Sequence, residues 1–180
     1  MGPTSSRPLG IYIHIPFCRR RCRYCDFLSH GGAEAVPETY IEAVQREWRL
    51  WAATLDPAVY TVQSIYFGGG TPSLMDPGQV GTLVSAIRGC LPVSADCEIT
   101  LEGNPDSLSL DSMQRYGESG VNRLSVGVQS FHDPSLHSLG RLHDAATAVR
   151  TLREARRAGI HNLSLDLMYG LPGSSTALEL

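Results

Sequence analysis

At 180 residues the chain has room for one domain or two small ones. Apolar residues make up 42% and charged residues 18%, which excludes an intrinsically disordered chain. The formal net charge is −3, so no polybasic field draws it to nucleic acid, and no apolar run approaches the ~20 residues of a membrane span. Met1 to Gly10 carries one Arg and no apolar stretch, which reads against a secretory signal and makes a cytoplasmic, reducing setting the expectation.

The first predicted element is a strand from Leu9 to Ile15, where Ile11, Ile13 and Ile15 alternate with Tyr12 and His14. Pro16 ends it, and Cys18, Cys22 and Cys25 follow. Pro37 to Thr54 reads as a helix with Ile41, Val44, Trp48 and Trp51 on one face. Val62 to Phe67 is a second strand running into Gly68-Gly69-Gly70-Thr71-Pro72. Asp76 to Cys90 is a second helix, with Val80, Leu83, Val84 and Ile87 on its apolar face. A strand at Glu98 to Leu101, a helix at Asp111 to Ser119 and a strand at Asn122 to Val128 come next. Asp144 to Ala158 is a helix ending at Gly159, a usual C-terminal cap. Asn162 to Tyr169 is the fifth strand, and Ser174 to Leu180 reads as the start of a further helix. This β-α alternation predicts an α/β fold with a parallel sheet and right-handed crossovers. A barrel or partial barrel is favoured over an open doubly wound sheet, because candidate functional residues follow every strand rather than one switch point.

Five cysteines are present, three of them spaced C-x3-C-x2-C. In a reducing compartment such a cluster points to metal. The gaps let one short loop aim three sulfurs at a single point. A structural zinc site wants four ligands, which would have to borrow Cys90 or Cys97. Those two read instead as small apolar packing residues. Ferredoxin-type clusters also want four thiolates. Three thiolates on a four-iron–four-sulfur cluster leave one iron open to a small molecule.

The strand ends are unusual in composition. Glycines at 68–70 let the backbone approach a ligand closely. Glu102, in Glu102-Gly103-Asn104-Pro105, is placed to bond a ribose or an ammonium group. Gln129 ends the fourth strand, Arg141 offers a planar fork for a carboxylate, and Asp166 lies on the fifth strand. His14 shares no face with Ile11, Ile13 and Ile15, and reads equally as a cluster-tuning or a structural group. His30, His132, His137, His143 and His161 show no metal-ligand spacing and read as surface or structural, with heme ligation open to any of them. Arg19, Arg20, Arg21 and Arg23 either receive an acidic donor or propionates, or form a solvated flexible loop.

The cysteine spacing, with Tyr24 before the third cysteine, resembles the radical S-adenosylmethionine (SAM) proteins. In that family the open iron chelates SAM, and one electron breaks a carbon–sulfur bond to give a 5′-deoxyadenosyl radical. Tyr12-Ile13-His14-Ile15-Pro16-Phe17-Cys18, Phe67-Gly68-Gly69-Gly70-Thr71-Pro72, Val126-Gly127-Val128-Gln129-Ser130-Phe131 and Asp166-Leu167-Met168-Tyr169-Gly170-Leu171-Pro172 narrow it to one branch. That branch holds the oxygen-independent coproporphyrinogen III oxidases and the related heme chaperones. The resemblance implies a partial parallel (β/α) barrel of the radical SAM type with about five of six strands present. It implies Cys18, Cys22 and Cys25 as cluster ligands, and Tyr12, Gly69 and Glu102 around the cluster-bound SAM. It places Tyr24, Gly70, Thr71, Gln129, Arg141 and Asp166 where the oxidases hold a second SAM.

Two departures favour the chaperones over the oxidases. Phe27 stands where the oxidases carry a further cysteine, and only 17 residues precede Cys18. Asp26-Phe27 and Gly140-Arg141-Leu142-His143 also look like the chaperone branch. The resemblance then implies heme or porphyrin as ligand, a low-potential electron donor and a heme-acceptor protein. The alternatives are an oxidase that decarboxylates propionates and a zinc-binding scaffold without redox chemistry. Residues 1–180 are expected to be one incomplete radical SAM core domain, with an exposed sheet edge after strand five and poor solubility as its result.

Overall fold

The computed structural model describes residues 6–171. Its strands are β1 (Arg7–Ile15), β2 (Tyr60–Gly69), β3 (Val93–Gly103), β4 (Arg123–Gln129) and β5 (Asn162–Leu167). The helices are α1 (Glu38–Ala52), α2 (Pro77–Arg88), α3 (Leu110–Glu118), α4 (Asp133–Leu139) and α5 (Ala145–Arg157). The expected helix at 174–180 lies outside the described residues.

All four strand pairings are parallel, and the spatial order is β1-β2-β3-β4-β5. A doubly wound sheet would reverse its order at a switch point. Chain order without reversal is instead a segment of barrel wall, as expected from the sequence. Alternation decides the two faces. Ile13, Ile15, Ile65, Phe67, Ile99, Leu101, Leu124, Val126 and Val128 are buried on one face. They form a single core with Ile41 of α1, Val80 and Leu83 of α2, Met113 and Tyr116 of α3, and Ala148 and Ala155 of α5. Along this layer α1 packs on α2, α2 on α3 and α3 on α5.

The other face is polar. Arg123 donates to Thr100 Oγ1 (3.2 Å) and Ser164 Oγ (3.0 Å), and Ser164 bonds Ser125 (3.0 Å). These bonds tie β3, β4 and β5 together on the face away from the helices.

Several expectations are corrected. β3 begins at Val93 because a bulge sets Val62 against Val93 and Ser64 against Glu98, so its polar start escapes the alternation rule. α4 and a 3-10 turn at Pro72–Leu74 were not expected. Trp51 is exposed: it sits at the margin of the α1 stripe, lining a cavity of about 450 Å³ between β1 and α1 with Trp48 and Leu55. Cys97 is buried as expected, but Cys90 is exposed, because it follows the α2 cap at Gly89 and has left the apolar face.

Candidate cluster and cofactor site

Parallel strands bring all their C-terminal ends to one rim. The loop after β1 carries the three thiols there, and all three are free. The loop is not slack. Cys18 N–H donates to His30 O (2.9 Å), and His30 N–H to Pro16 O (2.7 Å). The basic run is anchored too, which corrects the flexible-loop alternative. Arg19 donates to Asp106 O (2.8 Å), Arg20 to Gly140 O and Arg141 O, and Arg23 to Ser138 O (3.3 Å). Guanidinium groups spent on main-chain carbonyls hold the loop against the 138–141 segment.

His14 is resolved by its partners. Its Nε2 is 3.0 Å from Leu28 O, which can only accept, so Nε2 carries the proton. Nδ1 then accepts from Tyr12 Oη at 3.0 Å. The histidine braces the far end of the thiol loop on β1.

The sequence-predicted residues fall into groups. Cys18, Cys22, Tyr24, Thr71 and Arg141 are bonded together. Thr71 Oγ1 donates toward Cys18 Sγ at 3.5 Å, and Arg141 Nη1 toward Cys22 Sγ at 3.4 Å and Tyr24 Oη at 3.5 Å. Burial pushes the Tyr24 phenol up to about 12; the neighbouring Cys22 adds to this, while Arg141 opposes it. Tyr24 therefore stays a protonated donor at neutral pH.

Tyr12, Gly69 and Glu102 form the second group. Glu102 accepts from Tyr66 Oη (2.6 Å) and Gly69 N–H (3.0 Å), and the Tyr12 ring stacks on Tyr66 at 6.0 Å. Burial, then the hydrogen bond to Glu102, raises the Tyr66 phenol, and burial likewise raises Tyr12. Gly69 has φ +120°, and a Cβ there would lie 2.7 Å from the His14 ring. Gly70 is packed for a different reason: its Cβ would meet Phe17 O at 2.7 Å and Cys18 Sγ at 3.0 Å.

Gln129 and Asp166 border these groups: a Cβ at Gly127 would lie 3.1 Å from Gln129 Nε2 and 3.4 Å from Arg141 Nη2, and the Asp166 charge bears on the Tyr66 phenol. Asp166 accepts from Ser125 Oγ at 3.5 Å. Gln129 has φ +68°, the single positive φ outside glycine among the described residues. Its kink is held on both sides. Arg141 Nη2 donates to Gly127 O (2.6 Å), His143 Nε2 to Val128 O (3.1 Å), and Met168 N–H to Gln129 O (2.9 Å).

Asn104 is a site residue the sequence reading did not select. It bonds both Thr71 and Arg141. Its place between the third strand and Pro105 was the available signal.

The donor set fits a thiolate-held, anionic group. Thr71 and Arg141 aim donors at sulfur, and Arg141 Nε is a buried cationic N–H without a partner. Among the described residues no three His, Cys, Asp or Glu side chains converge on one focus as a single metal ion requires. A four-iron cube takes one thiolate per iron and needs no such focus. Cys97 lies six residues before the rim residue Gly103, about 20 Å along the strand, which removes it as a fourth ligand.

Residues 12–177 match the model of the Radical SAM superfamily. The chain is 41% identical over 169 residues to the heme chaperone HemW of Escherichia coli (strain K12), covering 93% of this chain and 44% of that protein. It is 42% identical over 178 residues to the mitochondrial radical S-adenosyl methionine domain-containing protein 1 of Bos taurus, covering 95% and 39%. Among solved structures, coproporphyrinogen III oxidase (HemN) from Escherichia coli superposes with a TM-score of 0.85 at 30% identity, over 98% of this chain and 41% of that one. The chain thus spans less than half the length of these relatives. Over that span, the barrel wall and its rim loop are those of a radical SAM protein, and to the radical SAM superfamily the chain belongs.

Proposed function

We propose that this chain carries the cluster- and SAM-binding part of a heme chaperone. Cys18, Cys22 and Cys25 hold a four-iron–four-sulfur cluster by three irons, leaving the fourth for SAM. When bound and reduced, the cluster supplies the electron that breaks a carbon–sulfur bond of SAM. The observation that carries this reading is the pair of donors, Thr71 and Arg141, aimed at the sulfurs of Cys18 and Cys22 on an anchored loop.

Around the cluster, Glu102 presents a carboxylate on Tyr66 and Gly69 to the ammonium or ribose of SAM, with Tyr12 beside it. The unpartnered Nε of Arg141 is left for a carboxylate. Gly70 keeps the loop close, and Tyr24, Thr71, Gln129 and Asp166 complete the rim. Residues 1–180 act as one core domain in a reducing compartment, of which the cytoplasm is the example. Heme is the cargo, with a low-potential reductant and an acceptor protein as partners. Support for heme comes from 41% identity to a protein named heme chaperone and from Phe27, which stands where the oxidases have a further cysteine. The 0.85 TM-score to coproporphyrinogen III oxidase favours the second reading, propionate decarboxylation.

Anaerobic reconstitution with iron and sulfide, followed by iron and acid-labile sulfide assays, tests the cluster. Cys22→Ser is expected to lose most bound iron; unchanged iron content contradicts the assignment. Adding heme, or coproporphyrinogen III with SAM and reductant, separates the two readings. Stoichiometric heme binding without turnover supports the chaperone, and protoporphyrinogen formation supports the oxidase.

A further inference from the structure

Two of the three thiols are joined through a single amide. Arg141 Nη2 donates to Asn104 Oδ1 at 2.6 Å, while Arg141 Nη1 points at Cys22 Sγ. Asn104 Nδ2 donates to Thr71 Oγ1 at 3.3 Å, while the Thr71 hydroxyl points at Cys18 Sγ. The direction of every proton along this chain follows from chemistry. A guanidinium has donors only, so the amide atom beside it is the oxygen. That leaves the amide nitrogen for Thr71, whose oxygen lone pair is thereby used, and its hydrogen goes to sulfur. Both sulfurs receive donors, the polarity a thiolate needs.

The amide itself is fixed. Ser107 N–H and its hydroxyl both donate to Asn104 O, at 2.9 and 3.0 Å, and Asn104 N–H donates back to Ser107 Oγ at 3.3 Å. A Cβ at Gly127 would lie 2.9 Å from Asn104 Oδ1, so β4 closes against the amide. The Ser107 clamp holds the backbone and β4 holds the side chain.

We propose that Asn104 is a positioning residue that fixes the direction of the donors aimed at Cys18 and Cys22, and so sets the reduction potential of the cluster that these thiolates hold. It rests on the cluster assignment made above. Hydrogen bonds to ligand sulfur favour the more negative, reduced cluster. Removing them makes reduction harder. Asn104→Ala frees both arms. Asn104→Asp keeps an oxygen for Arg141 but offers Thr71 an acceptor, turning its hydrogen away from Cys18.

The test is a dithionite titration of the reconstituted full chain, followed by absorbance and electron paramagnetic resonance. Iron and sulfide content are measured first. Wild-type protein that takes up no cluster refutes the cluster assignment itself. With cluster present, Asn104→Ala and Asn104→Asp are expected to load as wild type does and to titrate at a more negative potential. Thr71→Val also shifts the potential negative, but adds little in the Asn104→Asp background, where its donor is already lost. A wild-type potential in Asn104→Ala, or a full additional shift from Thr71→Val in Asn104→Asp, overturns the proposal. So does failure of Asn104→Asp to load when Thr71→Val loads, which makes the residue a structural one.

Discussion

His143 shows how one side chain couples the rim to acidity. Its ring is fully buried and donates to Val128 O beside the Gln129 kink. Burial, then the Arg141 guanidinium, holds its pKa below the usual value near 6.5, while Asp106 at 4.0 Å opposes this more weakly. The folded ring therefore stays neutral where an unfolded one binds a proton. Stability rises with pH up to about 6.5 and falls as pH drops below it, with the slope vanishing above. A series of Tm values from about pH 8 to about pH 5 should show that fall, and His143→Gln should flatten it; equal slopes would count against this role. Residue roles of this kind were only partly legible. The thiols were readable because ligand spacing is local. Asn104 and His143 were not, because their partners lie 37 and 15 positions away and depend on the strand register.

Helix boundaries, by contrast, were written in local chemistry. α2 starts where Asp76 Oδ1 accepts from Gly78 N–H (2.8 Å) and Gln79 Oε1 from Asp76 N–H (3.1 Å), a reciprocal cap with Pro77 at the first turn. Asp76→Ala is expected to cost about 1 kcal/mol, read as a lower urea midpoint with unchanged slope. A changed slope would place the residue's effect in the unfolded state instead. α4 carried signals of the same sort: Pro134 near its start, buried Leu136 and Leu139 three apart, and Gly140 at φ +78° after its end. Its seven residues are too short for a periodicity window. The bulged start of β3 was hidden because its side chains do not alternate against one flat neighbour.

At the level of the molecule, β-α order alone made the parallel sheet legible, and the rim position of the motifs distinguished a barrel wall from a doubly wound sheet. β2, β3 and β4 are bonded on both sides, whereas β1 and β5 have one neighbour each among the described residues. Native-state hydrogen exchange should find the slowest amides in β2 to β4 and faster ones on the outward edges of β1 and β5. Slower exchange in β1 than in β3 would contradict the pairing.

The sheet order has a further consequence in time. Each strand lies beside the one synthesised just before it, so the wall grows from one end as the chain leaves the ribosome. The thiols emerge first, at 18–25, but the donors on them come from residues 71 and 141. A nascent chain thus displays Cys22 without its donor until residue 141 has been made. The pocket that suits a metal cluster exists only after the fourth helix has been made, which places loading late and leaves an earlier interval of exposure to oxidants.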